Sequence, residues 1–157
     1  MHTKEEKIRA LIAETPHLPP VFEILLSKKS VFAEDEEIIE MIFLEREGYK
    51  AANGFFEKEK NFLPASLVIA TSYGITIVQE GGNELFEKMY GYKITHLLFD
   101  KISSLQLDVC LLSGKLTISC SSGDPESVIH FNTAKYYREF ESFVDAVRRK
   151  IFLSGRR

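Results

Sequence analysis

The stretch TAKYYREFESFVDAVRRKI, residues 133–151, decides how the rest of the chain is read. Tyr137, Phe140, Val144, Val147 and Ile151 recur at spacings of three, four, three and four. That is one stripe of an α-helix, with Arg138, Glu139, Glu141, Asp145, Arg148 and Arg149 mostly off it. Asn132 or Thr133 can cap its start, because a short side-chain oxygen there accepts an orphan backbone N–H. Burying the five apolar side chains is worth about 1.5–3 kcal/mol each at most.

The segments before this helix carry strand periodicity. Val128 to Phe131 leads directly into it, after a turn at Ser122-Gly123-Asp124-Pro125. Leu105 to Leu111 alternates, so its odd positions face a core, and Lys115 to Cys120 alternates again beyond Ser113-Gly114. A two-residue loop there pairs Leu112 with Lys115, Val109 with Ile118 and Leu107 with Cys120. In that register Cys110 and Cys120 point to opposite faces and cannot meet. Further back, Tyr92 to Phe99 and Ile102 to Leu112 read as strands. Leu67 to Thr71 and Ile75 to Val78 form a hairpin with Gly74 at its turn, ended by Gly81-Gly82-Asn83. Between Asp35 and Leu44 both periods fit. The β-branched and aromatic content favours a strand, continuing through Tyr49 towards a turn at Asn53-Gly54.

The first 34 residues differ in kind. Lys4 to Glu14 reads as a short helix with Ile8, Leu11 and Ile12 on one side, stopped by Pro16. Pro19 and Pro20 sit where a second helix can start, carrying Val21, Phe22, Ile24, Leu25 and Leu26. Both pieces are too short to stand alone in water, so they dock on their own domain or on another copy of it. The expected organisation is a helical extension over residues 1–34 and a β-rich domain over residues 35–157.

At 157 residues, 45% hydrophobic and 27% charged, one full core is expected. The net charge of −3 argues against bulk nucleic-acid binding, which needs a basic face. The first residues run into charge rather than an apolar core, and no apolar run is long enough to span a bilayer. Two cysteines do not make a disulfide scaffold. A cytoplasmic protein is expected.

The order of elements, strands closed by a C-terminal amphipathic helix, resembles a pleckstrin-homology-like barrel, and the residues resemble its bacterial YokE-like family. The matching pieces are Leu67 to Thr71 followed by a strand opening at Ile75, Leu98-Phe99-Asp100-Lys101-Ile102-Ser103-Ser104-Leu105, the Ser113-Gly114-Lys115-Leu116 hairpin and the terminal helix. The resemblance covers residues 36–151 and implies an α+β, mainly β fold: an antiparallel barrel of about seven strands. Members of this family commonly carry a basic residue after the Thr of the second strand, where this chain has Ser72-Tyr73-Gly74. Phosphoinositide-binding members of the wider superfamily gather lysines and arginines around the loop joining the first two strands. This chain offers Lys50, Lys58 and Lys60 there, interleaved with Glu57 and Glu59.

The basic cluster of the sequence is Arg148-Arg149-Lys150 with Arg156 and Arg157. Residues 1–147 carry −8 and the last ten residues +5. With Ile151, Phe152 and Leu153 beside it, this end can touch an anionic membrane surface. Cations there also complement the helix dipole without any ligand. His2, His17, His96 and His130 have no metal-ligand spacing with a cysteine, so neither a metal nor a cofactor is expected. Asp35, Glu36 and Glu37 read as a solvated boundary, and no nucleophile elbow, phosphate loop or HExxH motif is present. The expectation is a non-catalytic module that binds a protein partner or itself. The alternative is a peripheral adaptor holding anionic lipid through the basic C-terminus.

Overall fold

The computed structural model describes residues 3–27, 31–48, 62–80, 91–121 and 123–155. Two helices lead, α1 (Lys4–Glu14) and α2 (Pro20–Ser27), followed by β1 (Ile38–Leu44), β2 (Glu47–Gly48), β3 (Phe62–Leu63), β4 (Ser66–Thr71), β5 (Gly74–Glu80) and β6 (Tyr92–Leu98). A 3₁₀ turn, Phe99–Lys101, then precedes β7 (Ile102–Val109), β8 (Gly114–Cys120), β9 (Ser127–Phe131) and α3 (Thr133–Ser154). The fold is α+β and mainly sheet.

All strands pair antiparallel, in a four-stranded sheet ordered β1-β4-β5-β6, a three-stranded sheet β7-β8-β9 and the short β2-β3 ladder. The expected barrel is not closed. Among the described residues no strand pairing joins the two larger sheets. The chain breaks its ladder at Phe99–Lys101 between β6 and β7, and α3 packs against β1, β4 and β7 instead.

Two apolar layers explain the composition of β4, which is buried at every residue. Val68 and Ala70 face the main core with Ile42, Ile75, Ile77, Leu116, Ile118, Phe140 and Val147. Leu67 and Ile69 face the other way, where Phe22, Leu25 and Leu26 of α2 and Val31 and Phe32 cover them. The N-terminal extension therefore docks on the outer face of its own four-stranded sheet. A bulge between Ile38 and Glu40 sends Ile38 to this outer layer, while Ile42 and Leu44 face the main core. Lys4 Nζ donates to the carbonyls of Ala33 (2.9 Å) and Glu34 (3.2 Å), fastening α1 to the start of the domain.

The helix prediction holds, with Asn132 Oδ1 accepting the Ala134 N–H at 2.9 Å as the cap. Its stripe is turned by part of a residue: Phe140, Phe143 and Val147 are buried, whereas Tyr137 is exposed and Tyr136 packs on the core in its place. Tyr136 wins because its hydroxyl also reaches the Glu45 N–H, at 3.2 Å.

Three local readings are corrected. The β7-β8 register pairs Val109 with Gly114, Leu107 with Leu116 and Leu105 with Ile118, four residues away from the expected pairing. Residues 110–113 form the loop, closed by the Cys110 N–H donating to the Ser113 carbonyl at 2.9 Å. An even slip keeps each side chain on its face, so Leu105 and Leu107 still reach the core while Leu111 is left 91% exposed. Gly74 opens β5 rather than making the turn; a Cβ there would stand 2.0 Å from the Leu97 carbonyl oxygen of β6. Glu36 is not a solvated boundary residue. It is buried, accepting the Ala33 N–H at 2.9 Å and the Thr71 hydroxyl at 2.5 Å. The expected turns at Asn53-Gly54 and Gly81-Gly82-Asn83, and the strand reaching Tyr49, lie outside the described residues.

Candidate interaction groove

β7 is an edge strand of the three-stranded sheet. In an antiparallel ladder every second residue turns its backbone N–H and C=O away from the partner, so an edge presents a row of them outward. Along the edge of β7 runs an open cleft of about 660 Å³, lined by Ile102, Ser103, Ser104 and Leu105 on one side and by Asp145, Arg148, Arg149, Ile151 and Phe152 of α3 on the other. A bulge at Ser103 breaks the alternation here, so that Ile102 and Leu105 turn to the core while Ser103 and Ser104 are exposed, and all four line the cleft. The cleft therefore follows the strand's edge and not one of its faces.

A second cleft, about 410 Å³, continues it between Leu107 and Arg138, Glu141, Ser142 and Val144. The two meet at Asp145 and Arg148, which line both. Ser103 is the extra residue of a bulge at the mouth, its hydroxyl donating to the Ser119 carbonyl at 3.0 Å.

The groove's charges divide unevenly. Asp145 is paired with Arg149 at 3.0 Å, one helical turn away. Glu141 accepts a hydrogen bond from the Tyr137 hydroxyl, which holds that phenol above its usual range. Both acids are thus engaged. Among the described residues, the guanidinium groups of Arg138 and Arg148 have neither a hydrogen bond nor an ion pair. The surplus is cationic.

Of the predicted contact residues, Arg148 and Arg149 come together in this groove, while Lys150 is exposed and lines neither cleft. Lys50, Lys58 and Lys60, like Arg156 and Arg157, lie outside the described residues. Sequence reasoning missed Arg138 and the edge of β7. Arg138 was legible only as a polar residue off the helical stripe. The edge depends on strand order, which no local pattern encodes.

Elsewhere, Arg46 and Glu80 form an ion pair at the end of the four-stranded sheet, and Glu80 also accepts the Ala65 N–H at 2.9 Å. That hydrogen-bonded pair raises the Arg46 pKa further, and it ties β1, β4 and β5 together where they end. Thr76 Oγ1 lies 3.0 Å from His96 Nδ1 across β5 and β6. Among the described residues no group of three or more His, Cys, Asp or Glu side chains is placed to hold a metal ion. No helix among them is long and apolar enough to cross a membrane. No family model, curated protein or solved structure matches this chain.

Proposed function

We propose that the chain is a non-catalytic protein-interaction module of pleckstrin-homology-like plan, related to the bacterial YokE-like family, that receives an extended segment of a protein along β7. One observation carries the reading: among the described residues no strand pairs with β7 beyond β8, and a cleft runs between its residues and α3. A segment added there gains main-chain hydrogen bonds from the strand and side-chain contacts from the helix. The four-stranded meander, the three-stranded sheet and the C-terminal helix also follow the order that the resemblance implies.

Selection from a random linear peptide library tests this, run in parallel on the wild-type protein and on Ser104→Trp. Ser104 is exposed, so the ring fills the cleft without entering the core. Peptides enriched on the wild type and lost on the folded variant support the groove. Enrichment that the variant leaves unchanged rules it out.

The runner-up is a cytoplasmic adaptor that meets an anionic membrane through its C-terminus, favoured by Phe152 and Leu153, which are 59% and 58% exposed next to Lys150. Against it, Arg148 and Arg149 line a cleft and Arg149 is already paired. Co-sedimentation with phosphatidylserine vesicles but with no selected peptide would favour this second reading.

A further inference from the structure

We propose that the groove selects an acidic partner: an extended segment with two carboxylates four residues apart, one against Arg148 and one against Arg138. This inference rests on the interaction reading above and adds the chemistry of the occupant.

The dimensions fit an extended chain. Ile102 to Leu107 is five steps of strand, about 17 Å at ~3.3 Å each. Arg138 to Phe152 spans fourteen helical steps, about 21 Å at ~1.5 Å each. The two walls of the groove are therefore within about 5 Å of the same length, and a strand of about six residues runs between them.

Charge complementarity gives the sign. Both carboxylates that line the groove are engaged by neighbours within α3, while among the described residues the guanidinium groups of Arg138 and Arg148 have no partner. A segment bearing carboxylates supplies the missing partners, and the guanidinium fork suits them. A segment bearing lysines meets a lining of three arginines against two carboxylates, a net positive wall.

Spacing gives the pattern. Arg138 and Arg148 are ten residues apart on the helix, about 15 Å along its axis. An extended chain covers that distance in between four and five residues, at ~3.3 Å each. Its side chains alternate between faces, so only an even separation puts both carboxylates on the side facing α3. The pattern is acidic at i and i+4. The apolar end of the groove, at Ile151 and Phe152, then receives an apolar residue beyond the acid that faces Arg148.

Fluorescence anisotropy on the full-length protein tests this with labelled peptides of about eight residues, long enough to fill β7. One carries Asp at i and i+4 in a Val/Thr background, one Lys at the same places, and one Asp at i and i+3. The expected order is i,i+4 Asp tightest, by roughly tenfold or more over Lys, with the i,i+3 peptide between them. Arg148→Glu should invert the preference between the Asp and Lys peptides while circular dichroism shows an unchanged fold. Equal binding of all three peptides, lost together in Ser104→Trp, would keep the groove and overturn the acidic selection. Binding of the Asp peptides that Arg148→Glu and Arg138→Glu leave unchanged would overturn it as well. So would failure of every peptide to bind while phosphatidylserine vesicles retain the protein through Arg148, since a lipid surface would then be the ligand.

Discussion

The rings of Phe131 and Phe140 lie stacked, centroids 4.0 Å apart and planes 12° from parallel. This contact joins the last strand to the helix across a single cap residue, Asn132, and it fixes where α3 sits over the sheets. Phe140 is fully buried, so Phe140→Ala should cost about 3–5 kcal/mol in chemical denaturation. Gly114 belongs to the same arrangement, because a Cβ there would stand 2.3 Å from the Phe131 ring. Gly114→Ala should therefore cost about 1–3 kcal/mol although it adds only a methyl group.

The extension behaves as part of the core. Phe22 is fully buried and packs edge-on against Phe43, with ring centroids 6.3 Å apart. Phe22→Ala should cost about 3–5 kcal/mol. Deleting residues 1–30 uncovers Leu67, Ile69 and Val78, so dye binding to exposed apolar surface should rise sharply. A truncated protein as soluble and as dye-silent as the full chain would mean that this layer does not form.

The thiols differ by position. Cys110 is exposed in the loop after β7, and Cys120 is half-buried at the far end of β8, beside Ile102. A thiol reagent should modify Cys110 promptly in the native state and Cys120 much more slowly. The span of β8, about 20 Å, keeps an intramolecular disulfide from forming under mild oxidant.

Tyr136 supplies a pH dependence. Burial, its largest influence, pushes this phenol above its usual value of 10.0. In the folded state it holds its proton where the unfolded chain has begun to lose it. Stability is therefore full below pH 10 and falls as pH rises from there through the folded value. Tyr136→Phe should change stability by only about 1 kcal/mol at pH 7, through the lost bond to Glu45. Above pH 10 the variant should lose stability less steeply than the wild type. Parallel curves for the two proteins would contradict the burial of Tyr136.

Much of the fold was legible because it is written in local periodicity. Both N-terminal helices, the C-terminal helix and most of the long strands stand where the pattern placed them. The strand expected over Ile102 to Leu112 ends at Val109, however, and of Asn132 and Thr133 it is Asn132 that caps the last helix. What failed was not decided by that periodicity. The expected and observed registers of β7 and β8 differ by an even number and keep the same side chains on the core face. Alternation could not choose between them, and the loop over residues 110–113 replaces the Ser113-Gly114 turn. Phe143 was passed over since either of two overlapping stripes satisfies the helical period, and packing against Phe140 decides between them, with ring centroids 6.5 Å apart. One clue was present and unused. The run Leu67-Val68-Ile69-Ala70 does not alternate, and a strand apolar on both faces requires a cover on its outer side. That cover is the N-terminal extension. Of the candidate site, Arg148 and Arg149 were visible as charge, but the groove exists only once β7 is known to be an edge.

Residue-resolved amide hydrogen exchange, on the whole protein with and without a library-selected peptide, tests the central claim most directly. An added strand protects the outward-facing amides of β7. Peptide binding should slow exchange between Ile102 and Leu107 and leave the buried ladder between β4 and β5 as it was. Protection confined to the N-terminal helices or to β6, with the β7 amides unchanged, would contradict the assignment of the groove.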